Sequence, residues 1–343
     1  MRRLLAGLGV LAVLAGFACT ANAAERVNVY SARHDSLIEP LLERFTEATG
    51  IDVGLVTGNS DAMIKRLQIE GASTPADVLI TVDAARLHRA KAAGLFRAVD
   101  SPVLQEAIPA YLRDPDQQWF GLSMRARVIA YSRERVDRAA LSTYEALAEP
   151  RWRDRICIRS SDNVYNQSLL ASLVAAHGEA FAERWAAAVV DNMARPPQGG
   201  DTEQLRAVAA GICDVAVVNT YYYARMANAE DDPDARAVAE AVELFFPNQS
   251  GRGTHVNVTG AGVLRHAPHP DNAVRLLEFL ARPASQAWLA RTNYEYPVRP
   301  ETEVSAAVRA LGPYPFDKDH ASLGRIGELN ATAVRIFDRV GWR

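Results

Sequence analysis

Cysteine is scarce in this chain: three in 343 residues, one of them, Cys19, within the first two dozen. The remaining two, Cys157 and Cys213, form no Cys-x-x-Cys pair. Histidine is also sparse, seven residues in all, and none belongs to a His-Glu-x-x-His string. Gly-x-Ser-x-Gly and Walker A strings are absent as well. A catalytic reading therefore has no motif to rest on. There is no basic excess, with 38 Lys and Arg against 41 Asp and Glu, which disfavours nucleic acid or an anionic membrane as partner. After the first residues, no apolar run reaches the length of a spanning helix. No internal repeat or low-complexity tract is present.

The chain opens with a targeting pattern. Arg2-Arg3 give a positive start, Leu4 to Phe17 an apolar stretch and Ala21-Asn22-Ala23 a small-x-small cleavage site, so residues 1–23 are expected to be a signal peptide. Cys19 lacks the upstream Leu of a lipid-attachment signal, and export without an anchor is the expectation. Losing Arg2 and Arg3 leaves 36 basic against 41 acidic residues, a net charge of −5. Export permits Cys157 and Cys213 to pair, although buried thiols fit equally well. The 320 residues after Ala23 exceed one ordinary core, so two lobes are expected.

From Ala24 the pattern alternates strand and helix. Val27–Tyr30, Ile51–Val56 and Asp77–Thr81 read as strands, with helices after each, which predicts a parallel sheet. Ser36 to Glu39 has the form of a capping box, as does Ser142 to Glu145. Arg125–Tyr131 is the longest strand-like run and a candidate crossover between lobes; Leu244–Pro247 is a candidate return. Cys157–Arg159 and Cys213–Val218 are further strands. The glycine-rich Gly251–Val263 lacks the strand and helix that a phosphate loop needs around it. Helices are expected at Leu169–Ala176, Glu179–Val190, Thr202–Ala210, Ala227–Glu240 (with an acidic loop at Glu230–Asp234), Asn272–Ala281, Pro283–Thr292 and Leu323–Val340.

Tyr221-Tyr222-Tyr223, directly after the Cys213–Val218 run, stands out chemically. Alternation along a strand keeps three consecutive tyrosines from packing into one core, and ligands in open α/β sheets sit at the carboxyl ends of strands. A phenolate is a hard anionic donor suited to a small trivalent cation. The plainer account is that the phenols cover a sheet edge. Two other strand-to-helix turns carry comparable chemistry: His34 and Asp35 after the first strand, and Tyr165 in Ser160–Ser168. Singly, Asp35 is explained as a helix cap, His34 as a solvated loop residue and Tyr165 as a half-buried aromatic. All of them, however, occupy one kind of position, which is how a cleft between lobes is lined.

At this point the sequence resembles a family, the exported ferric-binding proteins of bacterial iron-uptake ABC transporters, in their cyanobacterial-type branch. The resemblance is carried by Tyr30–His34, Pro75–Ala84, Arg125–Ile129, Arg159–Ser161, Tyr165–Ser168, Asn219–Tyr222 and Arg252–Asn257, and runs from about residue 25 to the end. It implies a two-lobed α/β periplasmic binding-protein fold of type II with crossing hinge strands. One lobe is expected over 24–124 and 245–295, the other over 125–244 and 296–343. It also implies ferric iron as cargo, His34, Tyr165, Tyr221 and Tyr222 as ligands, and an inner-membrane ABC permease as partner of a periplasmic monomer. The family's Arg-His-Tyr is here Arg33-His34-Asp35, so Asp35 is either a substitute ligand or a cap. Arg125 and Arg127 alternate to one face, where the resemblance implies an arginine near the metal, able to hold carbonate or another synergistic anion. The other expectations left open are an anion-binding protein of the same fold and a secreted metal-dependent enzyme.

Overall fold

The first half of the sheet forms as the alternating periodicity predicts. The structure, a computed structural model, describes residues 25–319 and 321–343; the expected signal peptide lies outside the described residues. Strand β1 (Arg26–Ser31), helix α1 (Glu39–Thr49), β2 (Asp52–Thr57), α2 (Ser60–Glu70), β3 (Val78–Val82) and α3 (Ala84–Ala92) follow in order. β1 pairs in parallel with both β2 and β3, the arrangement that helical crossovers impose. The capping box at Ser36 does not form. A single 3-10 turn, Asp35–Leu37, comes first, and α1 begins only at Glu39, without a side-chain cap. Pro40 explains the delay: in a helix starting at Ser36 its missing amide would be needed by the Ser36 carbonyl, whereas in a first turn it is harmless.

After α4 (Pro102–Ala107) comes β4 (Phe120–Ser132), thirteen residues, every one buried. The second half holds β5 (Ile156–Cys157), α5 (Val164–His177), α6 (Glu179–Asp191), α7 (Asp201–Ala209), β6 (Val215–Asn219), α8 (Thr220–Ala227), α9 (Pro233–Ala241) and β7 (Val242–Phe245). The chain then supplies β8 (Val256–Val263), α10 (Pro270–Leu280), α11 (Pro283–Asn293), β9 (Tyr296–Pro297), α12 (Ala306–Arg309), α13 (Leu323–Glu328) and α14 (Asn330–Val340). The acidic loop expected within the surface helix Ala227–Glu240 separates α8 from α9, and the Asp232 side chain caps α9. The second capping box gives a 3-10 turn, Glu145–Ala148. Its Glu145 carboxylate is taken up instead by Asn248 and Arg252.

The strand order is β2-β1-β3-β8-β4-β6-β5, with β7 and β9 also on β4. Residues Phe120–Ala126 of β4 pair with β8, and Arg127–Tyr131 pair with β6. β4 thus passes from one half of the sheet to the other between Ala126 and Arg127. The second crossing is the segment from β7 into β8. Tyr144 joins the two crossings: its hydroxyl donates to the Arg127 carbonyl and accepts from the His255 amide at 3.0 Å. The Arg127 amide donates to the His255 carbonyl at 2.9 Å.

The glycine-rich stretch before Val263 is mostly strand β8. At Gly262 an added Cβ would stand 2.5 Å from the Gln118 carbonyl and 2.6 Å from the Phe96 ring, so the residue is small because the strand is packed closely. Cys157 and Cys213 are bonded, with Cα atoms 5.8 Å apart. The bridge ties β5 to the turn before β6, the two strands that lead to Tyr165 and Tyr221. It spans 56 residues of sequence, and closing a loop of that length limits the unfolded chain. Replacing both cysteines by serine is expected to lower unfolding free energy by about 4 kcal/mol, with the folded far-UV spectrum retained. Denaturant titration of the two proteins measures it, and equal midpoints would refute the contribution.

Candidate metal centre

The three consecutive tyrosines lie on a helix rather than on a strand. β6 ends at Asn219, and Thr220, Tyr221 and Tyr222 form the first turn of α8. Successive helical residues diverge by about 100°, which separates the phenols more effectively than strand alternation. Tyr221 is buried and Tyr222 half-buried, their rings 4.4 Å apart. Tyr223 turns away, its hydroxyl donating to the Ala239 carbonyl at 3.2 Å. Tyr165 sits likewise in the first turn of α5, where the Asn163 side chain caps its amide at 3.1 Å. The sequence places Tyr165 and Tyr221 56 residues apart; the fold brings their hydroxyls to 3.2 Å.

His34, Tyr165, Tyr221 and Tyr222 line one pocket of about 170 Å³, together with Arg33, Arg225, Thr259 and Glu295. This is below the 300–1,000 Å³ typical of sites for organic ligands and suits an ion with a few small companions. A roomier hollow of about 550 Å³ lies elsewhere, between Lys65, Thr74 and Arg265, but contains no phenol or carboxylate. Among the described residues no three His, Cys, Asp or Glu side chains gather in a metal-binding group. The oxygen-rich donor set is therefore phenolic, hard and anionic when ionised, unlike the sulfur and imidazole sets that hold zinc.

Asp35 does not line the pocket. It is exposed in the 3-10 turn after His34, itself exposed, and makes no cap. Arg125 and Arg127 do share a face, as alternation predicts, but they are fully buried behind Tyr165 rather than in the pocket. Their guanidinium carbons stand 5.2 and 5.8 Å from the centre of the Tyr165 ring, with Arg159 at 5.4 Å. Arg127 is paired with Asp201 at 2.8 Å and with Asn166 at 2.8 Å. Arg125 is less occupied: one 3.5 Å contact to Asp83, with Nε and Nη1 buried and unbonded. Burial alone would depress the Arg125 pKa, but Tyr165 and Asp83 reverse this and leave it raised.

Four neighbours carry no sequence signal of a site role. Arg33 donates to Glu295 at 3.0 Å and to Thr259 at 2.7 Å, fixing the turn ahead of His34. Arg33 and Glu295 are 262 residues apart, so no local spacing announces the pair. Arg159 and Arg225 flank the phenols, the latter 4.9 Å from the Tyr221 ring. With the amino ends of α5 and α8, these cations create a field favourable to anionic oxygen.

In the metal-free protein, burial raises the Tyr221 pKa well above 10, and the like-charged Tyr165 and Tyr222 add to it. Tyr222 is raised by burial, then by Tyr165 and Asp201. Above pH 10 the unfolded chain gives up these protons while the folded chain keeps them, so stability falls as pH rises from 10. The midpoint of thermal unfolding should drop steeply above pH 10, and less steeply in Tyr221→Phe. Parallel curves for the two proteins would overturn this assignment.

The sequence profile described as bacterial extracellular solute-binding protein matches residues 73–316. Iron uptake protein A1 of Synechocystis is 48% identical over 319 residues, covering 93% of this chain and 88% of that protein. A Trichodesmium structure in complex with iron and citrate ligands aligns at TM-score 0.90 and 46% identity, over 93% of this chain and 100% of that one. The ferric binding protein from Campylobacter jejuni aligns at TM-score 0.86 and 39% identity, over 92% and 100%.

Proposed function

This chain belongs to the bacterial extracellular solute-binding proteins, and on that premise we propose that it captures ferric iron in the pocket of His34, Tyr165, Tyr221 and Tyr222. It acts as the extracytoplasmic binding component of an iron transporter, working as a periplasmic monomer that passes its cargo to an ABC permease. Binding, not catalysis, is its task. The observation that carries this reading is the meeting of three phenols in a space too small for an organic solute. The related proteins include one named for iron uptake and one in complex with iron and citrate.

The lobes in this reading are 24–124 with 245–295 and 125–244 with 296–343, closing about the crossings at β4 and between β7 and β8. The chemistry follows from charge. Three phenolates neutralise Fe³⁺, and His34 brings a fourth donor from the other lobe. Arg125, with Arg127 behind the phenols, offsets any further anionic ligand, whether carbonate or another small anion. The cation replaces the protons that burial favours on Tyr221 and Tyr222.

Titrating the purified protein with ferric citrate should produce a visible phenolate-to-iron charge-transfer band. Tyr221→Phe combined with Tyr222→Phe removes two hydroxyls and keeps the rings. The band and high-affinity binding are expected to disappear while the far-UV spectrum and cooperative unfolding remain. Retention of wild-type affinity would sink the assignment. Protein that stays colourless but binds an oxyanion through Arg33 and Arg225 would favour the anion-binding alternative.

Asp35 is read as a contributor only if it swings inward, since it is exposed outside the pocket. Asp35→Ala is then expected to change ferric affinity by no more than about threefold and to leave the melting temperature near wild type. Asp35→Tyr offers a fourth phenol beside His34 and should deepen the colour. A hundredfold loss in Asp35→Ala, measured by chelator competition, would make Asp35 a direct ligand instead.

A further inference from the structure

Asp83 follows β3 in the first half of the sheet as the N-cap of α3, fully buried, with a φ of 88° that side chains rarely adopt. Its carboxylate caps its own helix and contacts three other parts of the molecule. Oδ1 caps α3 through the Ala85 amide at 3.0 Å and accepts from the Ser168 hydroxyl at 2.6 Å. Oδ2 accepts from the Asn257 amide group at 2.9 Å and faces Arg125 at 3.5 Å. Its own amide donates to the Val258 carbonyl at 2.9 Å. The capping role alone requires neither the unusual φ nor a charge.

The partners define what this carboxylate can do. Ser168 lies on α5, in the second half, one turn after Tyr165 and on the same side of the helix. Arg125 is on the shared strand β4, with its guanidinium over the Tyr165 ring. Asn257 is on β8, just beyond the second crossing, and its side-chain oxygen in turn accepts from the Ala84 and Val258 amides at 2.8 Å. One carboxylate from the first half therefore holds the helix that presents Tyr165 and faces the cation that lies against that ring. We propose that Asp83 is a positioning residue that couples closure between the halves of the fold to the donor strength of Tyr165. It deepens the ferric reading above and rests on it.

Two consequences separate this from a structural role. When the halves part, the Ser168 hydroxyl must leave Asp83, and a buried hydroxyl bonded to a carboxylate is costly to free. Closure is therefore stabilised by the same contact that seats Tyr165. Neutralising Asp83 instead leaves Arg125 without a counter-charge, and more of its positive field falls on the Tyr165 oxygen. That lowers the energy of the phenolate electrons and moves the charge-transfer band to shorter wavelength.

The test compares the purified wild-type protein with Ser168→Ala and Asp83→Asn, each loaded from ferric citrate. Ser168→Ala should release iron to a competing chelator about tenfold faster with an unmoved band. Its loaded form should have a radius of gyration by small-angle scattering closer to that of the iron-free protein. Asp83→Asn should release iron at least as fast and also show the band at shorter wavelength. A wild-type band, with both variants matching wild type in release and band position, overturns the coupling alone. A wild-type protein that gives no band overturns the ferric reading and this inference with it. Asn at 83 keeps an oxygen for the Ala85 and Ser168 contacts, and Ser168→Ala leaves Asp83 in place, so the fold does not hinge on a single variant.

Discussion

Three phenols that share one small pocket repel one another once ionised, and a cation between them removes that penalty. Burial raises the pKa of Tyr221 and of Tyr222, and the neighbouring Tyr165 adds to both. The protein meets this constraint by placing positive groups close to the phenols. Arg125, Arg127 and Arg159 stand behind Tyr165, and Arg225 beside Tyr221. Two helix amino ends add partial positive charge from the backbone. The arginines are in turn balanced by Asp83 and Asp201 in the interior. The pocket is thus pre-polarised for anionic oxygen, while burial favours the protonated forms of Tyr221 and Tyr222.

This arrangement puts most of the donors on one side. Tyr165, Tyr221 and Tyr222 come from helices of the second half, anchored through β5 and β6 and cross-linked by the disulfide. The first half brings His34, Arg33 and Glu295 to the same pocket. One side is thereby suited to hold a cation, and the other to decide how long it is kept. The Arg33–Glu295 pair is buried and fixes the His34 turn from a partner late in the chain. Its role is geometric more than energetic, as buried ion pairs offset much of their own attraction by desolvation.

Much of the fold was legible from period and turn chemistry. The parallel β1, β2 and β3 and the long shared β4 follow from apolar runs bounded by turn residues. The errors have local causes. Pro40 delayed α1, and β8 was hidden because its glycines serve packing against Phe96 and Phe120. Tyr221 and Tyr222 were legible as chemistry at a strand-to-helix transition, but not that they already form the first turn of α8. Arg125 and Arg127 were legible as a same-face pair, but their depth behind Tyr165 was not. Asp83 and Glu295 depend on partners at least 85 and 172 residues away in sequence for their key contacts to Ser168 and Ser123. Such pairs exist only once the chain is folded.

Tyr144 deserves a mechanical reading. One hydroxyl bonds the Arg127 carbonyl on the outgoing crossing and the His255 amide on the returning one, and the two backbones are bonded to each other at the same level. Two separate strands would let the halves twist, shear and bend independently. Riveted at one height, they would serve the proposed closure as an axle, leaving the halves chiefly rotation about a line through that rivet. A machine so restricted would have few wrong ways to shut, and residues on opposite jaws would meet in the same register each time.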